Sequence, residues 1–317
     1  MLNAHPRIHL THEASFYLDP RGKKLAGDGR GWFERYRRSF SFAFLRVPLS
    51  PVTGRLHLLA APNRRDAVTA VMRAAAEGRD KERFGDKTPA HAQHLREIVA
   101  DFPDARIVHV VRDPRRVVAS LARMPWATSS HGLNSFFCAQ QVKAVGRFGG
   151  DVCTVRLEDL VTAPEPEMRR VLEFVGEGWD AAVLDHAAHG GGSDLPPFPW
   201  FQEAARPVGT ASLAPLDLSP AWIRGIERAN AWTLREHGYE PETGIAEPTD
   251  ADRRRAHLAD AREVAASAAR GARAARLGLR REPPPADEAL AAVLSLNPKA
   301  WDHYPGFVIP TVPPVET

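Results

Sequence analysis

Residues 106–120, Arg-Ile-Val-His-Val-Val-Arg-Asp-Pro-Arg-Arg-Val-Val-Ala-Ser, leave a chain few ways to fold. Ile107 to Val111 is a short β-branched run, apolar but for His109, and reads as a parallel strand covered on both faces. Asp113 can cap a helix, and Pro114 suits the first turn, where a missing N–H costs nothing. The strand therefore turns straight into a helix, which points to an α/β fold. Arg112 stands at the strand's carboxyl end, and Ser120, two turns along the helix, shares the face of Asp113. Ligands of open α/β sheets bind at such ends, where helix N-termini favour negative charge. Arg112 and Ser120 can thus share one phosphate. Taken alone, the pair is better explained by an arginine bridged to a nearby carboxylate and a serine tolerated in its helix, so the assignment depends on the rest of the chain.

With 317 residues, 44% hydrophobic and 26% charged, the chain can bury a full core and is not disordered as a whole. No run approaches the 18 or so apolar residues that cross a membrane. Two cysteines, Cys138 and Cys153, match no disulfide framework or zinc spacing and read as small core residues; a reducing, cytoplasmic setting is expected. The net charge of +3 is concentrated near the end, where residues 251–281 hold nine arginines and three acids, leaving the remainder slightly acidic. Nucleic-acid binding is therefore not expected of the body. The composition divides the chain into an α/β unit over 1–250 and an Ala/Arg-rich helical and Pro-rich extension over 251–317.

Arg112 and Ser120, with seven residues between them, Gly85-Asp-Lys-Thr-Pro89 upstream, and Val155-Arg-Leu-Glu-Asp-Leu-Val161 with Leu172-Glu-Phe-Val-Gly176 downstream, form an ordered set. As a set they resemble the sulfotransferases that use 3'-phosphoadenylyl sulfate (PAPS), most of all the branch with tyrosylprotein and bacterial enzymes. The resemblance runs over about residues 1–240. It implies a P-loop-NTPase-like fold, a mainly parallel sheet flanked by helices, and transfer of a sulfuryl group from PAPS to a hydroxyl or amine. It also implies roles: Arg112 and Ser120 on the 3'-phosphate, Lys87 on the leaving phosphate, Glu13 as general base. Arg206 occupies a weakly matching position for a further basic contact to the donor. No metal is implied. Leu157 stands where the family has tyrosine, and Glu158 and Asp159 read as structural.

In that family Met-Leu-(Asp/Asn)-Ala-His-Pro follows a strand and a phosphosulfate loop of the form Pro-Arg-Ser-Gly-Thr-Thr. The present chain opens on Met1-Leu-Asn-Ala-His-Pro6, so that first strand and loop are expected to be missing. A start placed too late is favoured over a true loss, and the chain as it stands is expected to show weak activity or none. Gly27-Asp-Gly-Arg-Gly31 lacks the lysine and hydroxyl of a P-loop and reads as a plain loop.

His5, His9 and His12 fit no common zinc spacing. Gly31 to Leu45 interleaves aromatic and basic residues and reads as a helix with one face in the core, also placed to line an acceptor pocket. Ala251 to Leu279 reads as a solvated helix docked loosely on the body. The acceptor, whether small molecule, carbohydrate, lipid or peptide, has no code in the sequence, and neither has the oligomeric state. The competing expectation is a non-catalytic nucleotide-binding or interaction protein derived from the same fold.

Overall fold

The computed structural model describes residues 1–77, 79, 81–188, 198–202, 209, 218–244, 246–278, 285–304 and 312. Strand β1 (Ile8–His12) is followed by helices α1 (Gly29–Tyr36), α2 (Phe40–Leu45), α3 (Leu49–His57) and α4 (Arg64–Ala76), and then by β2 (Arg83–Lys87). Helix α5 (Leu95–Asp101) leads into β3 (Ile107–Val111) and α6 (Pro114–Leu121). Next come α7 (His131–Gly146), β4 (Val152–Arg156), α8 (Leu157–Thr162) and α9 (Pro164–Val175). The short α10 (Pro199–Gln202), α11 (Pro220–Ala229), α12 (Ala231–Glu236), α13 (Asp250–Gly278) and α14 (Ala286–Leu294) complete the order. Among the described residues no helix is long and apolar enough to cross a membrane.

The strands form two parallel pairs, β1 with β2 and β3 with β4. The parallel sheet expected from sequence is thus realised as two pairs flanked by helices. Ile8 and Leu10 of β1 and Val108 of β3 pack together against Met168, Leu172 and Val175 of α9, so one apolar cluster joins the pairs. The expectation that β3 is covered on both faces needs correction. Val111 is buried, but Val110 is 56% exposed. Among the described residues β3 pairs with β4 alone, and Val110 and Val111, adjacent along the strand, point to opposite faces, of which only that of Val111 is covered at this end.

Local chemistry explains most element ends. Asn63 and Asp66 close a reciprocal capping box on α4, and α9 stops at Gly176 with φ of 77°. The aromatic stretch 31–45 is two helices, because the Ser39 side chain accepts the Phe42 N–H and starts α2 afresh. Its Trp32, Phe33, Tyr36 and Phe42 fill the largest core cluster, as a core-facing helix should. Residues 219–238 also divide. Buried Asn230 donates to Ser135 Oγ (2.7 Å) and to Ile226 O (3.1 Å), competing with the helix backbone between α11 and α12. Cys138 and Cys153 are free and buried.

The polar residue inside β3 has a measurable consequence. His109 lies edge-on to His237, ring centres 6.2 Å apart. Burial, and then the neighbouring His237, pushes its pKa down to about 4. An unfolded histidine protonates near pH 6.5, so acidification from about 6.5 toward 4 charges the unfolded chain first and draws the equilibrium to it. Stability present at neutral pH is lost across that window, by about 2–3 kcal/mol at pH 4.5. Thermal melts at pH 7 and pH 4.5 check this. His109→Leu should lose clearly less of its Tm on acidification than the parent chain, and an equal loss in both rejects the account.

Candidate functional site

The site is built where strands end. Glu13 directly follows β1, Lys87 is the last residue of β2, and Arg112 directly follows β3. Parallel pairing sets Ile8 opposite Arg83 and His12 opposite Lys87. That register brings the first two candidates together, and Lys87 Nζ donates to Glu13 Oε1 over 2.8 Å. Their side chains are 47% and 43% exposed, so mutual attraction holds them only weakly, at roughly 0–1 kcal/mol. The Lys87 ammonium also lies 5.4 Å from the centre of the Phe201 ring, a cation–π contact.

Glu13 sits in an uncommon stretch of backbone. Glu13 and Ser15 have φ of 54° and 59°, a left-handed conformation that costs a residue with a Cβ about 1–2 kcal/mol. Between and beyond them, Ala14, Phe16 and Tyr17 enter the core, and burying one such aromatic side chain returns about 1.5–3 kcal/mol. Hydrogen bonds fix the turn. The Glu13 N–H donates to Lys87 O (2.8 Å), the Ala14 N–H to Asp86 Oδ1 (3.1 Å) and the Ser15 N–H to Thr88 Oγ1 (3.1 Å). Asp86 Oδ1 also accepts from the Thr11 hydroxyl (2.7 Å), and the Tyr36 hydroxyl donates to Ala14 O (2.7 Å).

Thr88 stands before Pro89 where a threonine commonly caps a helix, and it does not cap one. Its side chain makes no cap bond, Pro89–Gln93 is a 3-10 turn, and α5 begins at Leu95. The hydroxyl is engaged instead by the loop after β1.

The β3–α6 unit follows its sequence closely. The Asp113 carboxylate accepts the Arg115 N–H (2.8 Å) and α6 starts at Pro114. Arg112 and Ser120 are both half-buried. Burial lowers the pKa of Arg112; Arg116 and Arg123 push the same way, against the pull of Glu158 and Asp113. An arginine nevertheless keeps its charge. Arg116, in α6, and Arg123, two residues past its end, lie near enough for their charge to act on Arg112, so this strand end is basic, as suits a phosphate. Sequence reasoning missed these two, although their nearness to Arg112 along the chain was a readable signal.

Other residues nearby are structural. Arg115 is buried among Asp113, Glu227 and Glu240 O. Glu158 accepts the Asp113 N–H (3.1 Å) and the Tyr239 hydroxyl (2.8 Å), the supporting role read for it from sequence. Glu13 with Lys87, and Arg112 with Ser120, therefore belong to different strand pairs. Arg206 lies outside the described residues.

Stretch 251–317 reaches the same neighbourhood, and not as a loosely docked helix. The Ser130 hydroxyl donates to Asp260 (2.6 Å), and Thr128 and Ser267 hydroxyls meet at 2.7 Å. Buried Asn297 donates through Nδ2 to Ala122 O (2.8 Å) and through its N–H to Pro125 O (3.0 Å), just past the end of α6. Leu290 and Leu294 of α14 pack with Phe44, Phe198 and Phe201, the last being the ring beneath Lys87. Long-range partners of this kind leave no trace in helical periodicity.

Comparison with known proteins gives a family and a fold. A model of the Sulfotransferase family matches residues 1–181. Protein-tyrosine sulfotransferase A of Caenorhabditis elegans is 32% identical over 109 residues, 31% of this chain and 28% of that protein. The protein-tyrosine sulfotransferase of Drosophila melanogaster is 30% identical over 125 residues, 35% of this chain and 24% of that protein. The chain thus spans about a quarter of the length of either relative. Among solved structures, the sulfotransferase domain from the Synechococcus PCC 7002 olefin synthase superposes with a TM-score of 0.50 at 18% identity, covering 75% of this chain and 88% of that one. That likeness establishes a shared fold.

Proposed function

The chain belongs to the sulfotransferase family, and from that premise we propose that it moves a sulfuryl group from PAPS to a hydroxyl or amine acceptor. The observation that carries this reading is the 2.8 Å contact between Glu13 and Lys87, residues 74 positions apart. It unites a base with a cation at strand ends. The donor is a polyanion, and the residues present suit one. Arg112 and Ser120 take the 3'-phosphate, with Arg116 and Arg123 adding positive charge near Arg112; Arg206 is a further candidate contact to the donor.

In the reaction the acceptor oxygen or nitrogen forms a bond to sulfur as the bond from sulfur to the bridging phosphate oxygen breaks. The leaving oxygen keeps the electron pair. Glu13 takes the acceptor's proton, and the Lys87 ammonium faces the oxygen on which charge develops. Because the two side chains neutralise each other before substrates arrive, the acceptor and the bridging oxygen separate them. An exposed pair opens at a cost of only about 0–1 kcal/mol.

The names of the two animal relatives make tyrosine in a peptide the first acceptor to test, beside phenols, sugars and lipids. Labelled donor is offered to this chain and to the chain extended at its amino end. Label is expected to pass to one acceptor class, and Glu13→Gln and Lys87→Ala should each lower the rate by about 100-fold or more. Failure of every acceptor to take label from either protein, with Glu13 and Lys87 intact, overturns the proposal.

A further inference from the structure

We propose that Asp86 and Thr88 are positioning residues: together they hold the loop after β1 in its left-handed turn and so aim the Glu13 carboxylate at Lys87. The inference rests on the reading of Glu13 as the base and adds the device that presents it.

Two residues with a Cβ, Glu13 and Ser15, adopt positive φ in alternation. Such a stretch persists only where its surroundings over-determine it. Here the N–H groups of Ala14 and Ser15 are received by Asp86 Oδ1 (3.1 Å) and Thr88 Oγ1 (3.1 Å), the residues on either side of Lys87. The segment that carries the cation therefore also shapes the loop that carries the carboxylate. Asp86 is itself fixed, since its side chain is 8% exposed, its Oδ1 accepts from Thr11 (2.7 Å) and its Oδ2 lies 3.1 Å from His91 Nδ1. A threonine normally placed to cap a helix gives up that bond for Ser15. Without these two acceptors the loop relaxes toward negative φ and the Glu13 side chain swings away, whereas Lys87 keeps its strand position.

Crystal structures of Thr88→Val, Thr88→Ser and Thr88→Val with Ser15→Gly test this. Valine keeps the shape of threonine and replaces the hydroxyl that accepts from Ser15 by a methyl group. Thr88→Val should lose the contact between Glu13 and Lys87, with a fall in kcat of about tenfold and an unchanged donor KM. Thr88→Ser should keep both, and the double variant should recover them, because glycine takes positive φ without penalty. A Thr88→Val structure that retains the contact overturns the inference, and so does a double variant that stays as defective as the single one. Asp86→Ala also takes from the Thr11 hydroxyl the nearer of its two acceptors, the other being Gly85 O (3.3 Å), so the Thr88 variants carry the test. The structural readout does not require Glu13 to act as a base; Glu13→Gln at full activity removes that reading and leaves the positioning to be judged by the crystals.

Discussion

Replacing Arg115 by alanine is expected to cost about 3–5 kcal/mol of stability, the usual consequence of removing one partner from a buried ionic cluster. The Arg115 side chain is 4% exposed, and it donates to Asp113 Oδ2 (2.7 Å), Glu227 Oε1 (2.7 Å) and Glu240 O (2.9 Å). Asp113 is the cap of α6, and Glu227 belongs to α11, 112 positions away, so one guanidinium ties the front of the site helix to the far part of the chain. Burial works against the charge on Glu227, yet the Glu242 N–H, Arg224 and Arg115 hold its pKa below the usual carboxylate range. With Arg115 gone, the buried Asp113 carboxylate loses the guanidinium that grips both its oxygens, and Glu227 loses one of the two arginines that hold it. Urea unfolding at pH 7 measures the effect, and a loss below about 1 kcal/mol would show the cluster to be dispensable. Arg115→Met combined with Glu227→Met should recover part of the loss, since it strands one carboxylate, Asp113, in place of two.

Arg112, three residues earlier, should behave in the opposite way. Arg112→Ala is expected to leave Tm nearly unchanged and to weaken binding of adenosine 3',5'-bisphosphate by about 30-fold to 150-fold, the equivalent of roughly 2–3 kcal/mol for a charge-assisted contact. Ser120→Ala, which removes one neutral donor, should weaken it by about tenfold at most. Isothermal calorimetry of the chain with this nucleotide provides both numbers, and added salt should erode the affinity because Arg116 and Arg123 add to the positive field around Arg112. Equal affinity in parent and Arg112→Ala would remove Arg112 from the donor site. Because the readout is binding, it stands independently of whether the acceptor is known.

Arg112, Arg115 and Arg116 share a pentapeptide and a charge, and they show where sequence reasoning works and where it stops. Nothing local distinguishes the buried clamp, Arg115, from the half-buried Arg112 proposed for the donor. The distinction comes from Glu227 and Glu240, which fold back onto one of them. The acceptor side tells the same story. Glu13 could be named from its resemblance to a family motif, but the left-handed turn that presents it, and the diversion of Thr88 from capping to Ser15, depend on β1 lying beside β2.

By itself the sequence determined the strand that turns into a helix at Asp113, the cap of α4, the glycine stop of α9, the core-facing aromatics and the family motifs. These follow from torsional preferences and hydrogen bonds that close within a few residues, so they are written locally. Only the tertiary structure decided that the parallel sheet divides into two pairs, that one arginine of the motif is a clamp, and that Asn297 and α14 bear on the site. Each of these depends on groups brought together across tens to hundreds of residues, where the energy of the contact belongs to the packed molecule and no short segment contains both partners.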